Sequence, residues 1–185
     1  MKMLANIITL SRLLLTFVVI ALFGRHQKLD LYLLATLGLI FILDAVDGTI
    51  ARKRNETTQL GEVLDSLADR IIENTFWIYF TAKGHLPVWM PIVVMARGFI
   101  TETLQRTHGY PEKGWTYALT RSRMSRALYG SVKMLTFICL AYAMFFKSPI
   151  LEQASLILAT VAVGFCLLRG FPFLFIRKIP CPPST

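Results

Sequence analysis

The chain has 185 residues, the length of one domain spanning 1–185. It is 55% hydrophobic and 17% charged, with a mean hydropathy of +0.55, a balance that places it among all-α integral membrane proteins. The formal net charge of +9 fits contact with anionic headgroups and phosphorylated substrates. Nucleic acid is a poor alternative, because the basic residues are spread over connections between apolar runs. Cys139, Cys166 and Cys181 are odd in number and form no C-x-x-C pair, which argues against both zinc and a disulfide framework.

Leu4–Phe23 is the first apolar run. Asn6, Thr9 and Arg12 recur there at spacing three and so make one polar stripe on a helix. A cleaved signal peptide competes with a spanning helix, but Arg12 breaks the apolar run and no A-x-A site follows. Arg12 could also be an interfacial arginine that snorkels. Leu31–Leu43 continues helically through Asp44 and Asp47 toward Arg52, and Lys53–Leu60 is a polar connection. Val63–Ala82 is the third span, entered through Asp65 and Asp69. Glu62 and Glu73 lie near or on the same face, either solvated, paired with arginine or directly involved. Gly84-His85-Leu86-Pro87 reads as a turn that puts His85 on the surface, at the end opposite the aspartates.

A fourth span runs from about Pro87 to Thr103 and carries Arg97; a polar connection from Arg106 to Arg126 follows. Ala127–Phe146, containing Lys133, is the fifth span, and Ile150–Leu168 is the sixth. The basic, proline-rich tail Arg177–Pro183 should follow a short interfacial helix. Five or six apolar runs could each cross a bilayer core of about 30 Å, which needs roughly 20 helical residues. With six transmembrane helices, one side carries Lys2, Arg52, Lys53, Arg54, Arg106, Lys113, Arg121, Arg123, Arg126, Arg177 and Lys178. The other carries Arg25, Lys28, Lys83 and Lys147. Eleven against four predicts a multi-pass protein whose aspartate face is cytoplasmic, in the inner membrane if the source is bacterial.

The chemistry concentrates in Asp44-x2-Asp47-Gly48-x2-Ala51-Arg52-x8-Gly61-x3-Asp65-x3-Asp69. Helical spacing places Asp44 with Asp47, and Asp65 with Asp69, on single faces. Four carboxylates facing each other would repel, and divalent cations relieve that repulsion. All-oxygen ligands favour Mg²⁺, Mn²⁺ or Ca²⁺ over zinc. Gly48, Ala51 and Gly61 are small enough for a helix backbone or a bulky ligand to approach closely.

This run resembles the signature of the CDP-alcohol phosphatidyltransferases at all eight fixed positions, with no departure in spacing. The N-x2-T-x2-R pattern of Asn6, Thr9 and Arg12 is similar to that family as well. The resemblance implies transfer of a phosphatidyl group from a CDP-lipid such as CDP-diacylglycerol to an alcohol, with loss of CMP. It implies two divalent ions, Mg²⁺ or Mn²⁺, held by Asp44, Asp47 and Asp65. Asp69 would be the catalytic base and also touch the second metal. Gly48, Arg52 and Thr58 would contact the CDP-lipid, Asn6 and Thr9 would line the nucleotide site, and the protein is expected to act as a homodimer among membrane lipids. Physically, Gly48 leaves room for a nucleotide, and Arg52 offers a forked donor to phosphate.

Arg97, Arg121, Arg123, Arg126 and Lys133 are candidates to bind an acceptor that already bears phosphate, although positive-inside topology accounts for some of them. Arg97 and Lys133 sit within apolar runs and need partners there. Met95-Ala96-Arg97, with Leu104, is similar to the corresponding region of phosphatidylglycerophosphate synthases, which favours glycerol 3-phosphate as acceptor. Inositol phosphate is the alternative, and the basic residues argue against serine. A divalent-cation transporter would need polar groups along the membrane depth, whereas the four aspartates lie at one end of their spans. The D-D-x-x-D spacing of UbiA-type prenyltransferases is absent.

Overall fold

The computed structural model describes residues 3–54, 59–108, 114–120 and 122–175. Every regular element among them is helical: α1 (Met3–Leu22), α2 (Gln27–Arg54), α3 (Gln59–Ala82), α4 (Trp89–His108), α5 (Gly114–Thr120), α6 (Arg123–Phe146) and α7 (Pro149–Gly170). A 3₁₀ turn, Phe171–Phe175, follows α7 where a short terminal helix is expected. α2 runs unbroken from the second apolar run through Asp44, Asp47 and Arg52, as the spacing of its aspartates requires.

Two helix ends show why the chain turns where it does. At the end of α3, Gly84 adopts φ +84°. Its amide donates to the Thr81 carbonyl at 2.9 Å, and the His85 amide donates to Phe80 at 3.0 Å. This paired closure satisfies the last carbonyls and needs a residue without a Cβ at the left-handed position. At the start of α6, the Ser125 amide donates to the Ser122 hydroxyl at 3.1 Å. Ser122 is therefore the N-cap, and α6 begins at Arg123 rather than at Ala127. The connection expected from Arg106 to Arg126 is thus shorter than its polarity suggests: α5 occupies part of it, and Arg123 and Arg126 lie in the first turns of α6.

The described chain groups into two compact units. The first holds α1, α2 and α3 to Pro87, with Phe137–Ser155 from α6 and α7. Phe137, 1% exposed, is the hub of its core. Its ring lies 5.4 Å from Phe76, 5.4 Å edge-on from Trp77, 6.2 Å from Phe41 and 6.2 Å from Phe80. α1 packs on both α2 and α3, and polar contacts along its length fix it to α3. Arg12 donates to Asp69 at 3.0 Å, and the Tyr79 hydroxyl donates to the Phe23 carbonyl at 3.2 Å. In the turn between α1 and α2, the Gly24 amide donates to Asp30 Oδ1 at 2.8 Å. His85, expected as a lone surface histidine, is only partly exposed and lies 3.3 Å from Glu152.

The second unit holds Val88–Thr136 and the chain from Leu156 onward. Arg169 donates to the carbonyls of Thr120 at 3.1 Å and Leu119 at 3.4 Å, which ties α7 to the end of α5. Gly170 lies against the Arg97 side chain so closely that a Cβ there would be 2.9 Å from Arg97 Nε.

Apolar side chains face outward as well as into the core. α1 buries Thr9, Arg12 and Thr16 while exposing Ile7, Leu10, Leu14, Phe17 and Val18. α3 exposes Val63, Leu67 and Ile78, and α4 exposes Ile92, Phe99 and Ile100. Among the described residues, two helices are long and apolar enough to cross a bilayer, Met124–Phe146 and Pro149–Phe173, and Ile7–Leu22 is a shorter apolar helix. α3 is held back from that class by Asp65, Asp69, Arg70 and Glu73.

Truncating the hub tests the core. Phe137→Ala should cost about 3–5 kcal/mol, the usual range for a buried aromatic. Met124→Ala, at a position 80% exposed, should change little. Unfolding of the detergent-solubilised protein, followed by circular dichroism, measures both.

Candidate active site

Asp65 and Asp69 sit one turn apart on α3, and their side chains are 50% and 46% exposed. The helical spacing does bring these two carboxylates onto one face. Behind them lies Arg12 of α1, whose side chain is 3% exposed. Its Nη2 donates to Asp69 Oδ1 at 3.0 Å, and its Nη1 lies 3.7 Å from Asp65 Oδ1. A guanidinium buried this far is retained only when paired, since removing it from water costs on the order of several kcal/mol. The interfacial, snorkelling reading of Arg12 is therefore wrong: the side chain points inward and meets the acidic pair.

Thr9 lies one turn before Arg12 on the same stripe and is 7% exposed. Glu73, one turn beyond Asp69, is partly exposed. Asp44, Asp47, Gly48 and Arg52 fall on the helical backbone of α2, and Asn6 on that of α1, but their side chains lie outside the described residues, as does that of Glu62. Thr58 and Arg121 also lie outside the described residues, as does the side chain of Arg123. Among the described residues no group of three or more potential ligands forms; the side chains of Asp44 and Asp47 are not among them.

The donor set itself fits a hard divalent cation. Asp65 and Asp69 offer only carboxylate oxygens, and both remain half open while their arginine partner is buried. Asp65, with Asp44 and Asp47 from the signature, would hold such an ion.

The candidate acceptor residues Arg97, Arg126 and Lys133 all belong to the second unit. Lys133 Nζ lies 4.7 Å from the centre of the Tyr129 ring. Arg169, absent from the sequence-based candidates, lies over the same ring with Cζ at 5.2 Å. Arg97 and Arg126 are within electrostatic reach of Arg169. Lys133 and Arg169 thus share the ring of Tyr129, itself 7% exposed, and Arg97 and Arg126 lie near enough to Arg169 to act on it. A cation over an aromatic face gains stabilisation without losing its charge, so the group is suited to bind an anion. Arg169 follows an apolar run like an ordinary positive-inside residue; only its fold back onto α5 distinguishes it.

The chain matches the CDP-alcohol phosphatidyltransferase family over residues 2–168. It is 35% identical over 92 residues to "Cardiolipin synthase (CMP-forming)" of Streptomyces coelicolor, covering 48% of this chain and 42% of that protein. It is 33% identical over 98 residues to "Probable phosphatidylglycerophosphate synthase" of Mycobacterium tuberculosis, covering 51% and 47%. It is 32% identical over 106 residues to "CDP-diacylglycerol--glycerol-3-phosphate 3-phosphatidyltransferase" of Rickettsia typhi, covering 57% and 60%. The chain therefore spans about half the length of these curated relatives. With the eight-position signature borne on α2 and α3 and the family match extending over residues 2–168, the chain belongs to the CDP-alcohol phosphatidyltransferase family.

Proposed function

We propose that this chain transfers the phosphatidyl group of CDP-diacylglycerol to the hydroxyl of glycerol 3-phosphate, releasing CMP. The observation that carries the reading is the complete signature with Asp65 and Asp69 half open on one face of α3. The relatives named for glycerol 3-phosphate transfer favour that acceptor. Inositol phosphate is the alternative with the same chemistry, and the relative named cardiolipin synthase adds cardiolipin as a product to be tested.

In this reading the acceptor oxygen attacks the phosphorus that carries the diacylglycerol. A new P–O bond forms there as the P–O bond to CMP breaks, and CMP leaves with the bonding electrons. Asp69 takes the acceptor's hydroxyl proton, a role that suits a carboxylate fixed on one side by Arg12 and open on another. Arg52 pairs with the diphosphate through its planar fork. Arg97, Arg126, Lys133 and Arg169 bind the phosphate of the acceptor. Divalent ions held by Asp44, Asp47 and Asp65 would neutralise and orient the diphosphate.

The family and the apolar helices support a membrane protein. We assign it six spans, with the signature side cytoplasmic, on the excess of basic residues there. The family resemblance supports a homodimer.

The decisive assay offers purified protein CDP-diacylglycerol, Mg²⁺ or Mn²⁺ and a panel of acceptors, and identifies CMP and the lipid product. Excess EDTA should abolish CMP release and leave the helical circular dichroism unchanged; undiminished release would remove metal from the mechanism. Asp69→Asn should keep CDP-lipid binding and lose about 10²–10⁴-fold in transfer rate, the usual worth of a general base. A loss below tenfold would assign the proton to another group.

The two substrates should also separate kinetically. A charge-assisted hydrogen bond is worth about 1.5–3 kcal/mol, so Arg97→Ala and Arg126→Ala should each raise KM for glycerol 3-phosphate by roughly ten- to a hundredfold. KM for the CDP-lipid should stay nearly constant. Arg52→Ala should do the reverse. Unchanged acceptor kinetics in both variants would return Arg97 and Arg126 to packing and topology.

A further inference from the structure

We infer that Gly170 is a positioning residue: by lacking a Cβ it forms the seat that directs the Arg97 side chain toward the phosphate of the acceptor. The inference rests on the reading of Arg97 as an acceptor ligand, and every residue it uses lies in the second unit.

A glycine at the end of an apolar helix, just before Phe171 and Pro172, has the sequence signature of a left-handed cap. Gly170 is not one. Among the described glycines, Gly24 and Gly84 have positive φ and Gly170 does not, so it closes α7 with a backbone that a residue bearing a Cβ could adopt. The need for glycine comes from what stands against it. A Cβ at this position would lie 2.9 Å from Arg97 Nε, 3.0 Å from its Cγ and 3.5 Å from its Cδ. Heavy atoms without a hydrogen bond between them pack at about 3.5–4.0 Å, so the first two distances are too short to keep. The atoms met are the middle of the arginine side chain, not its free end. Gly164, on the same helix, makes the contrast: a Cβ there would meet nothing within 4 Å.

Neither backbone is free to retreat. Arg97 lies within α4, where the buried Thr101 hydroxyl donates to the Arg97 carbonyl at 2.8 Å and to that of Gly98 at 3.1 Å. Gly170 leads into the 3₁₀ turn that packs on α4, with Pro172 and Phe173 buried. On its other side, Arg169 is tied to the carbonyls of Leu119 and Thr120. A methyl group at position 170 would therefore be accommodated by the Arg97 side chain.

That side chain depends on its seat. Arg97 is within electrostatic reach of Arg169, and two cations repel. Its Nε is buried and has no hydrogen-bond partner among the described residues. No hydrogen bond at Nε sets the direction of the guanidinium, so the close fit against Gly170 sets it by shape. An arginine fork grips phosphate through paired, directional bonds. Displacing the stem turns the fork away from the acceptor while leaving its charge nearby.

The test uses the full chain in detergent or nanodiscs, with CDP-diacylglycerol, Mg²⁺ and glycerol 3-phosphate. Gly170→Ala should raise KM for glycerol 3-phosphate roughly tenfold, as for a misdirected charge-assisted hydrogen bond, with kcat and KM for the CDP-lipid little changed. Gly164→Ala, the same exchange on the same helix in open space, should leave both KM values as in the wild type. Added to Arg97→Ala, Gly170→Ala should cause no further rise, because the atoms that the methyl group would meet are already gone. Thermal unfolding gives a readout independent of turnover. Gly170→Ala should lower Tm in the wild-type background and raise it in the Arg97→Ala background, where alanine's better helix propensity is unopposed. An unchanged KM for glycerol 3-phosphate in Gly170→Ala, equal losses for both substrates, or a further rise in the double variant would overturn the inference. Should Gly170→Ala fail to fold, the double variant with Arg97→Ala should fold, and its failure would overturn the inference as well. The reading beneath it fails separately: if Arg97→Ala itself leaves acceptor kinetics unchanged, Arg97 is no acceptor ligand and the role of Gly170 falls with it. If Arg97→Ala raises that KM and Gly170→Ala does not, the inference alone is lost.

Discussion

A guanidinium buried between α1 and two carboxylates of α3 is the constraint on which the first unit depends. Arg12 cannot be left unpaired at that depth, and Asp65 and Asp69 cannot share one helix face without a counter-charge. Each resolves the other's problem. The pairing also accounts for the polar stripe of α1, which faces protein while Ile7, Leu10, Leu14 and Phe17 face outward. In water such an arrangement would be unfavourable. Against hydrocarbon it is the expected one, since a polar stripe has nowhere else to find partners.

The two units are built by different means. The first has an aromatic core in which Phe137 meets rings from α2 and α3, so that shape complementarity sets the packing. The second is organised around Tyr129, Arg169 and the end of α5. There, carbonyls of Leu119 and Thr120 accept from Arg169, and the Leu119 carbonyl also accepts from the Ser125 hydroxyl at 2.6 Å. Core packing of the first kind tolerates conservative apolar exchange. A polar junction of the second kind does not, because each lost partner leaves a carbonyl or a guanidinium unsatisfied.

Much of this was legible in the sequence, for identifiable reasons. The long helices follow from apolar runs bounded by Gly84, Pro87 and Pro149, and the single-face placement of Asp65 and Asp69 follows from helical geometry alone. α5 was hidden because its seven residues lie between basic positions and show no apolar period of their own. The start of α6 was misplaced because Arg123 and Arg126 look like loop residues until Ser122 is recognised as a cap. The pairing of Arg12 with Asp69 joins positions 57 residues apart, and that of His85 with Glu152 joins a turn to a distant helix. No local spacing encodes either. Arg169 was missed for the same reason: its meaning comes from what it folds back upon.

Two of the polar contacts that hold α1 to α3 also constrain the length of the chain. Arg12 pairs with Asp69, and eleven residues later Phe23 receives the hydroxyl of Tyr79, ten residues beyond Asp69. At 1.5 Å per residue these separations are about 16 and 15 Å, so the two helices run parallel with nearly matched rulings. Inserting or deleting one residue between positions 12 and 23 would rotate everything beyond it by about 100° and break one contact or the other. Homologous chains that keep both contacts should therefore vary in length before Arg12 or after Phe23, and hold the interval between them constant.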